Sequence, residues 1–580
     1  MESQHEVSLL IEGQVFKVKR DLLIEYSDYF RAMFSGNYVE KEQQEIHIDV
    51  VDANSMNIIT RYMEMGLIDI SDYPLATIGD LAIAANFLQI TELTKQINYC
   101  LEQTISLSNL FEIREIAQNA PSMELEQAAV TYGLFSFKHM KPEFIPSVDS
   151  LFWYLSHTHL NTESELCVFK FGLKWIELQE MGADVLLIVL CCLDMNRLTS
   201  VELKEMKDLI KDYVNSLVEK IVECLYKLSK DYELSTTAIK GNKQVLCELY
   251  TEKVYMEVVN IVDASLQRKL KFIPAVPMWA DKHKNAELSE NYLYTYTEEH
   301  GFRKWIELSE KKLWGWNLTN WTPTKIVKVC GEYGRGAGSY MRDVKIYDVL
   351  KKEWIQHGVE LPLRRHAGVV VVEDSLFILG GVGGYRVVLE TAIIYDLKQR
   401  TFRRIADLPD AIQSPAVCAH ENEVYMAGLQ NIYKYEEIGE HQRWTKVLDT
   451  DIMPNILVSF KGYIYAAQNY FPHLHRFRPG VDTALQLIGG FNHSPVAICN
   501  LGHRLIAITS SGDVVEDFIN LEEIQDASLP TDTVNVIWSQ PCAQLGVNYA
   551  GVCSVVIEAP PTNPPVSPFH QRYLTMYGTG

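Results

Sequence analysis

Three groups of residues in this sequence have types and spacings that can support chemistry. The glycine-rich stretch GEYGRGAGSY, residues 331–340, is of the kind that binds phosphate, but it follows an apolar strand-like run instead of opening a helix. His473 and His475 are spaced like a metal-binding pair, yet they lack a third ligand. The 11 cysteines include no CxxC pair, and GxSxG, HExxH and P-loop motifs are absent. We therefore predict a non-enzymatic protein without a metal or cofactor.

The bulk properties exclude several classes of protein. A formal charge of −22 over 580 residues argues against nucleic-acid binding, which needs clustered Lys and Arg. The longest apolar run, residues 185–193, is shorter than the roughly 20 residues that a bilayer requires, and the N-terminus lacks the pattern of a signal peptide. Scattered cysteines, odd in number, suit a reducing compartment. We expect a cytoplasmic protein, with the nucleus as a second location, and no membrane partner.

The first 240 residues are predicted to be mainly helical. Two short strands flank the turn at Glu12-Gly13, and an aromatic helix follows and ends at Gly36. A further helix is predicted to begin with a capping box between Thr162 and Glu165. The predicted buried stripe of the aromatic helix consists of Tyr26, Tyr29, Phe30, Met33 and Phe34, and that of the later helix of Leu166, Phe169, Leu173 and Ile176.

From about residue 290 a repeat of 40 to 50 residues takes over. A tyrosine in one strand, or a phenylalanine in the last copy, is followed by a turn and by a second anchor in the next strand. Between these anchors, short apolar runs end in small residues, and only Gly380-Gly381 keeps a full diglycine. Such a period with about four strands predicts a propeller of radial blades, with five visible units and a sixth suggested by NVIW and the strand-like run after it. The second anchors are Trp305, Trp354, Phe402, Trp444 and Leu485.

These residues resemble a known family. PLRRHAGVVVVEDSLFILGG resembles a kelch repeat, SLLIEGQVFKVKRDLLIEYSDYFRAMFSGNYVE resembles a BTB/POZ domain, and LFEIREIAQNAPSMELEQAAVTYGLFSF resembles the start of a BACK domain. The resemblance implies a multidomain chain: an α+β BTB/POZ domain, an all-α BACK domain and an all-β kelch propeller of about six blades. The expected boundaries are 1–104 for BTB, 105–240 for BACK, 241–290 for a linker contributing to the first blade, 291–558 for the propeller and 559–580 for a Pro-rich disordered tail.

The resemblance also implies a function, that of a substrate adaptor of cullin-3 RING ubiquitin ligases. The family's cullin contact, a hydrophobic residue, any residue and then Glu, falls on Tyr38, Val39 and Glu40. Tyr38 would fill an apolar groove of cullin 3, and Glu40 would accept hydrogen bonds from a helix end. The alternative is that Tyr38 packs on its own domain and Glu40 is one solvated charge of the run EKEQQE.

Two further expectations concern partners. BTB domains of the family form homodimers through a helix and a strand that precede the first core strand. Here that strand begins within ten residues of Met1, so a weaker dimer or a monomer is expected. The alternative function is a cytoskeletal scaffold, in which the propeller binds actin and no ligase is recruited.

The propeller loops supply the candidate substrate contacts. Tyr and Arg combine apolar area with directed hydrogen bonds, as interface anchors do. Several arginines on one face would favour an acidic or phosphorylated peptide. The candidates, all predicted to be exposed, are Tyr333, Arg335, Tyr340, Arg342, Arg364, Arg365, Tyr385, Arg386, Tyr470, Phe471 and His473.

Overall fold

A computed structural model of the chain forms two compact units. The first contains Met1–Leu270 and Ala559–Gly580, and the second contains Lys271–Glu558. The described residues are 6–35, 45–212, 216–232, 234–279, 292–308, 310, 313–334, 336–358, 360–516, 535–538, 546–547, 551–566 and 568–577.

The N-terminal part of the first unit is a three-stranded sheet covered by helices. The strands are β1 (Glu6–Ile11), β2 (Gln14–Lys19) and β3 (Glu45–His47), in the order β2-β1-β3. Val7, Leu9 and Ile11 are buried on the helix side of β1, the alternation expected of a sheet with one covered face. The helices here are α1 (Arg20–Tyr26), α2 (Asp28–Ser35), α3 (Ala53–Met65), α4 (Leu75–Phe87) and α5 (Thr91–Thr104).

Helices continue well beyond residue 240, where the sequence analysis places the end of the all-α region. The predicted capping box at Thr162 is wrong: the helix begins at Glu165, and Ser164 is the N-cap, with its hydroxyl accepting from the N–H of Cys167. No helix among the described residues is long and apolar enough to cross a bilayer. The helices are α6 (Leu110–Asn119), α7 (Met123–Phe135), α8 (Val148–Leu155), α9 (Glu165–Leu178), α10 (Leu186–Cys191), α11 (Ser200–Leu209), α12 (Leu217–Asp231), α13 (Thr236–Gly241), α14 (Lys243–Leu249) and α15 (Glu252–Asp263).

The C-terminal segment, predicted from its composition to be disordered, is placed on the helices of the first unit. Residues 559–566 lie against α7 and α8 with their carbonyl groups as hydrogen-bond acceptors. The last helix, α16 (Pro568–Tyr577), contacts α8 and α10, and Leu574 packs against the core. Side chains of the helical unit donate to the carbonyl groups of residues 560–562, which fixes this segment despite its proline content.

The second unit is a propeller, as the repeat predicts. In the described residues its main sheets number six, and each is antiparallel with four principal strands. The strands up to residue 405, of which β7 and β10 form a separate two-stranded sheet, are β4 (Ile273–Trp279), β5 (Tyr292–Thr297), β6 (Gly301–Glu307), β7 (Leu313–Trp314), β8 (Asn317–Thr322), β9 (Lys325–Val329), β10 (Glu332–Tyr333), β11 (Lys345–Asp348), β12 (Glu353–Gln356), β13 (Gly368–Val372), β14 (Ser375–Leu379), β15 (Ala392–Asp396) and β16 (Thr401–Ile405). The others are β17 (Val417–His420), β18 (Glu423–Ala427), β19 (Asn431–Ile438), β20 (His441–Asp449), β21 (Ile456–Phe460), β22 (Tyr463–Ala467), β23 (His473–Phe477), β24 (Gln486–Gly490), β25 (Pro495–Asn500), β26 (Leu505–Thr509), β27 (Val514–Glu516), β28 (Asn535–Trp538), β29 (Gly546–Val547) and β30 (Cys553–Val555).

The ring is closed by the last strand of the chain. The innermost strands β8, β13, β17, β21, β25 and β30 contact one another in that order, and β30 contacts β8 again. Because β30 pairs with β4, the first blade combines strands from both ends of the propeller sequence. Two hydrogen bonds support the closure: the Asn320 side-chain amide donates to Ser554 O (2.9 Å), and the Ser554 N–H donates to Asn320 Oδ1 (2.8 Å).

The recurring aromatic pairs join the two outer strands of a blade. Tyr347 lies opposite Trp354, Tyr395 opposite Phe402, and Tyr435 opposite Trp444. The indole N–H of Trp354 donates to Glu307 O and that of Trp444 to Ala406 O, each at 3.0 Å and each in the preceding repeat. The aromatics thus pack within one blade and bond it to its neighbour.

Candidate functional site

One end of the propeller carries the candidate site. Strands alternate in direction within a blade, so the connections from second to third strand and from one blade to the next leave at the same end. We call these connections the loop face. From the second blade onward, its described residues are 330–334, 336–344, 357–358, 360–367, 380–391, 406–416, 428–430, 450–455, 468–472, 491–494 and 510–513.

The loop after the diglycine presents the most exposed aromatic side chain of the propeller's described part. Gly381 has φ +94°, and a Cβ there would lie 2.7 Å from Arg365 O, so the tight turn requires glycine. Tyr385 (φ 53°) and Arg386 (φ 61°) follow in the left-handed region, which non-glycine residues seldom adopt. Tyr385 is 104% exposed. The backbone therefore holds this side chain entirely in solvent.

Arg364 and Arg365, predicted to be exposed, are buried, and that prediction is wrong. Arg364 donates to the carbonyl oxygens of Ile378 (3.3 Å), Gly380 (3.1 Å) and Thr391 (3.2 Å). Burial lowers the pKa of its guanidinium. All three carbonyl bonds come from Nη1, and Nη2 donates to Thr391 Oγ1 (3.2 Å), so the side chain fixes the loop instead of facing a ligand.

Arg365 connects two loops through Glu332. Its Nη1 donates to Glu332 Oε2 (2.9 Å) and to Tyr340 Oη (2.9 Å), and its guanidinium lies 4.9 Å from the centroid of the Trp314 ring. Burial acts to raise the pKa of Glu332, but hydrogen bonds from the N–H groups of Gly338 and Gly336, together with Arg365, lower it overall. Tyr340 Oη in turn donates to Gly383 O (3.0 Å), which joins the two loops.

The other arginines leave little free positive charge. Arg342 donates to Leu361 O (2.9 Å) and pairs with Glu360 (3.1 Å), and Arg335 lies outside the described residues. Arg386 is the exposed arginine of the loop face from residue 360 to 494, a range described throughout, and the exposed His493 lies 3.6 Å from Asp513. The acidic residues of the same loops are Glu360, Glu390, Asp407, Asp410 and Asp451. The predicted preference for an acidic or phosphorylated peptide therefore has no basic cluster among the described loop-face residues to support it.

Apolar exposure is concentrated on the loop face. Tyr470 (82% exposed) and Phe471 (49%) form the tip of one loop, and Tyr333 is 38% exposed in another. The sequence analysis missed four exposed apolar residues, because aliphatic side chains in a β-rich sequence look like core. Their proximity to a glycine or a proline was the available signal. They are Leu363 (41%), Val387 (55%), Val388 (40%) and Leu429 (48%).

The two histidines lie on β23 and are half-buried. Their ring centroids are 6.4 Å apart, and burial lowers the pKa of His475. Among the described residues, no group of three or more His, Cys, Asp or Glu has the arrangement needed to hold a metal ion. His473 lies at the strand start, one residue beyond the loop that presents Tyr470.

The proposed cullin contact, Tyr38, Val39 and Glu40, lies outside the described residues. The helix before it, α2, is anchored as predicted by Phe30 (0% exposed) and Phe34 (5%), whose stacked rings are 5.9 Å apart. The remaining members of the predicted stripe, Tyr26, Tyr29 and Met33, are partly buried against the same core.

Comparison with known proteins identifies both parts of the chain. The BTB/POZ domain matches residues 1–105, and the Kelch motif matches residues 363–409. The human Kelch repeat and BTB domain-containing protein 2 is 26% identical over 453 residues, which cover 74% of this chain and 66% of that protein, just under two thirds of its length. Kelch-like protein 15 of Gallus gallus is 27% identical over 178 residues, covering 30% of this chain and 36% of the relative. The matches and the six propeller sheets together support the BTB-kelch family for this chain.

Proposed function

We propose that this chain is a substrate-recognition adaptor of a cullin-3 RING ubiquitin ligase. The observation that carries the proposal is the union, in one chain, of a BTB domain with a propeller whose loop face exposes Tyr385, Tyr470 and Phe471. BTB and kelch domains both bind proteins, so the chain can hold two partners at once. Exposed aromatics of this kind are the residues that anchor protein interfaces.

In this proposal the adaptor itself performs no covalent chemistry. The BTB domain, with the helices that follow it, binds cullin 3 and hence the RING subunit and the loaded ubiquitin carrier. The loop face binds the substrate. Tethering raises the effective concentration of substrate lysines near the carrier, and this increases the rate of transfer without any catalytic residue in the adaptor.

The test is binding of the full-length protein to the N-terminal domain of cullin 3. We expect Tyr38→Ala/Glu40→Ala to weaken binding roughly tenfold or more, the effect of removing one interface anchor. The matched control is Glu64→Ala/Met65→Ala, an exposed acidic and apolar pair at the end of α3. This control removes the same kinds of side chain elsewhere in the BTB domain, and it should bind like the wild type. Calorimetric titration measures all three.

Absence of binding by folded wild-type protein would overturn the ligase proposal. Co-sedimentation with actin filaments would then test the scaffold alternative. Equal binding by the wild type and the double variant would keep the ligase role but remove Tyr38 and Glu40 from the interface.

The substrate half of the proposal makes a separate prediction. Tyr385→Ser/Val387→Ser should reduce the recovery of ligase-dependent partners roughly tenfold, because both side chains are exposed and apolar. The control is Ile438→Ser/Val481→Ser, an equally exposed pair (69% and 63%) in turns at the opposite end of the blades. Quantitative proteomics of ubiquitylated proteins compares the two variants. Equal losses in both would show that the loop face has no special role.

A further inference from the structure

The helical unit contains a groove lined by hydrogen-bond donors. Four side chains from α6, α7 and the end of α8 point at consecutive residues of the C-terminal segment. Gln127 Nε2 donates to Pro560 O (2.8 Å), His157 Nε2 lies 2.6 Å from Pro561 O, Trp153 Nε1 donates to Thr562 O (3.0 Å), and Arg114 Nη2 donates to Asn563 Oδ1 (2.8 Å). Every atom of the bound segment in these contacts is an oxygen.

With the segment in place, two of the four donor side chains are buried and the other two, Arg114 and Gln127, are half-buried. His157 is 0% exposed and Trp153 is 7% exposed. Burial lowers the pKa of His157 to about 4, so the imidazole is neutral at physiological pH. Because a carbonyl oxygen only accepts, the proton of that ring lies on Nε2 and points at Pro561. The Arg114 guanidinium lies 4.1 Å from the centroid of the Trp153 ring, which holds both donors in place.

Proline residues fit a groove that is lined by hydrogen-bond donors. Pro560 and Pro561 carry carbonyl acceptors but no backbone N–H, so the groove leaves no donor of theirs unpaired. Pro560 and Pro564 are buried, whereas Pro561, Asn563 and Pro565 are exposed, and the segment forms no strand or helix hydrogen bonds. Recognition therefore uses three backbone carbonyls and two buried rings, features that other proline-rich segments share, and one side-chain oxygen, that of Asn563. A proline-rich chain also loses little conformational freedom on binding.

We propose that this groove is a binding site for proline-rich peptide segments. Residues 559–566 of the chain are its resident ligand, and a proline-rich segment of another protein exchanges with them. The site lies on the helical unit and does not depend on the loop face or on cullin binding.

The experiment uses the full chain with a protease recognition sequence inserted between Glu558 and Ala559, both exposed. After cleavage of the folded protein, fluorescein-labelled peptide 559–577 is added in excess, and its incorporation is followed by fluorescence polarisation and size-exclusion chromatography. We expect stoichiometric exchange. A peptide with Ala at the four proline positions 560, 561, 564 and 565 should bind about tenfold more weakly, since it adds unpaired N–H groups and flexibility.

A matched pair of variants tests whether the peptide binds in the groove. Trp153→Phe keeps an aromatic side chain, although a smaller one, and removes the N–H bonded to Thr562 O, so it should weaken peptide binding about fivefold to tenfold. Trp175→Phe removes an equivalent bond, from its indole N–H to Ile145 O (3.0 Å), inside the same unit and should leave exchange unchanged. Failure of the peptide to exchange in folded, cleaved protein would show that the segment is a fixed part of the fold. Equal binding of the Ala peptide would overturn proline recognition.

Discussion

Arg268→Met is expected to lower the free energy of unfolding of the helical unit by about 3–5 kcal/mol, the cost of breaking a buried ion pair from one side. Arg268 and Glu165 have side chains that are 3% and 0% exposed and form a bidentate pair, with both N···O distances 3.0 Å. Methionine fills a similar volume but leaves the Glu165 carboxylate without its main cation. Differential scanning calorimetry of the full chain, with the transition of the helical unit assigned, measures the loss.

The size of the effect follows from the number of bonds that the guanidinium makes. Nη1 donates to Leu155 O (2.9 Å) and His157 O (2.8 Å), and Nη2 donates to Cys192 O (2.9 Å) in addition to Glu165. All five N–H donors of Arg268 thus have acceptors. Its backbone N–H also donates to Asp194 Oδ2 (2.9 Å). One side chain therefore fixes the ends of α8, α9 and α10 to the segment after α15.

Two further variants separate charge from packing. Arg268→Lys keeps the charge but cannot reach all the acceptors, so it should lose an intermediate amount. Glu165→Gln/Arg268→Met removes both charges and should be less destabilised than the sum of the two single variants. A loss below about 1 kcal/mol for Arg268→Met would show that Arg197, whose Nη1 lies 3.6 Å from Glu165, replaces it.

The contacts of Arg268 could not be predicted from the sequence. Arg268 falls within 241–290, which the sequence assigns to a linker. Its partners lie far away along the chain, with Glu165 separated from it by 103 positions. Local periodicity carries no information on such pairs. By contrast, the buried stripe of α9, which includes Phe169 and Ile176, was predicted correctly, because helical spacing alone determines it.

In the propeller, too, local features were predicted and a pairing between distant parts of the chain was not. The runs ending in small residues were predicted as strands, and β9, β14, β18, β22 and β26 are the second strands of five successive blades. The repeat supplied this prediction, since each copy supports the others. The repeat did not predict which strands form the first blade. Its inner strand, β30, and its neighbour, β4, stand at opposite ends of the propeller sequence, so no repeat unit contains both.

At the candidate site, residue types predicted which segments form loops better than they predicted which side chains are exposed. Tyr385 follows a diglycine whose geometry sends the chain into solvent, and it is exposed as expected. Arg364 and Arg365 are of a type that is mostly exposed, but their burial depends on whether hydrogen-bond acceptors lie within reach, carbonyl groups for Arg364 and the Glu332 carboxylate for Arg365. Those acceptors come from other strands and loops, including Ile378 and Gly380, and the fold alone brings them there.

Closure of the propeller ring is expected to depend on Gly551. This residue precedes β30 and has φ +120°, and a Cβ there would lie 2.4 Å from Leu318 O in β8. Gly551→Ala must displace one of the two innermost strands that meet at the closure. We expect the free energy of unfolding of the propeller to fall by about 2–4 kcal/mol, from steric overlap and left-handed strain together. Calorimetry of the propeller transition measures this change.

The control isolates the steric part of the effect. Gly439→Ala also places alanine at a positive φ, +60°, in a turn where a new Cβ meets nothing within 4 Å. It should cost only about 1 kcal/mol, the strain of the left-handed backbone. Amide hydrogen exchange shows where the propeller is destabilised. Gly551→Ala should accelerate exchange in β30 and β8 more than in the other strands, because these two strands meet at the closure. If both variants lose the same stability, or if exchange rises evenly in all blades, the ring is not held at this junction.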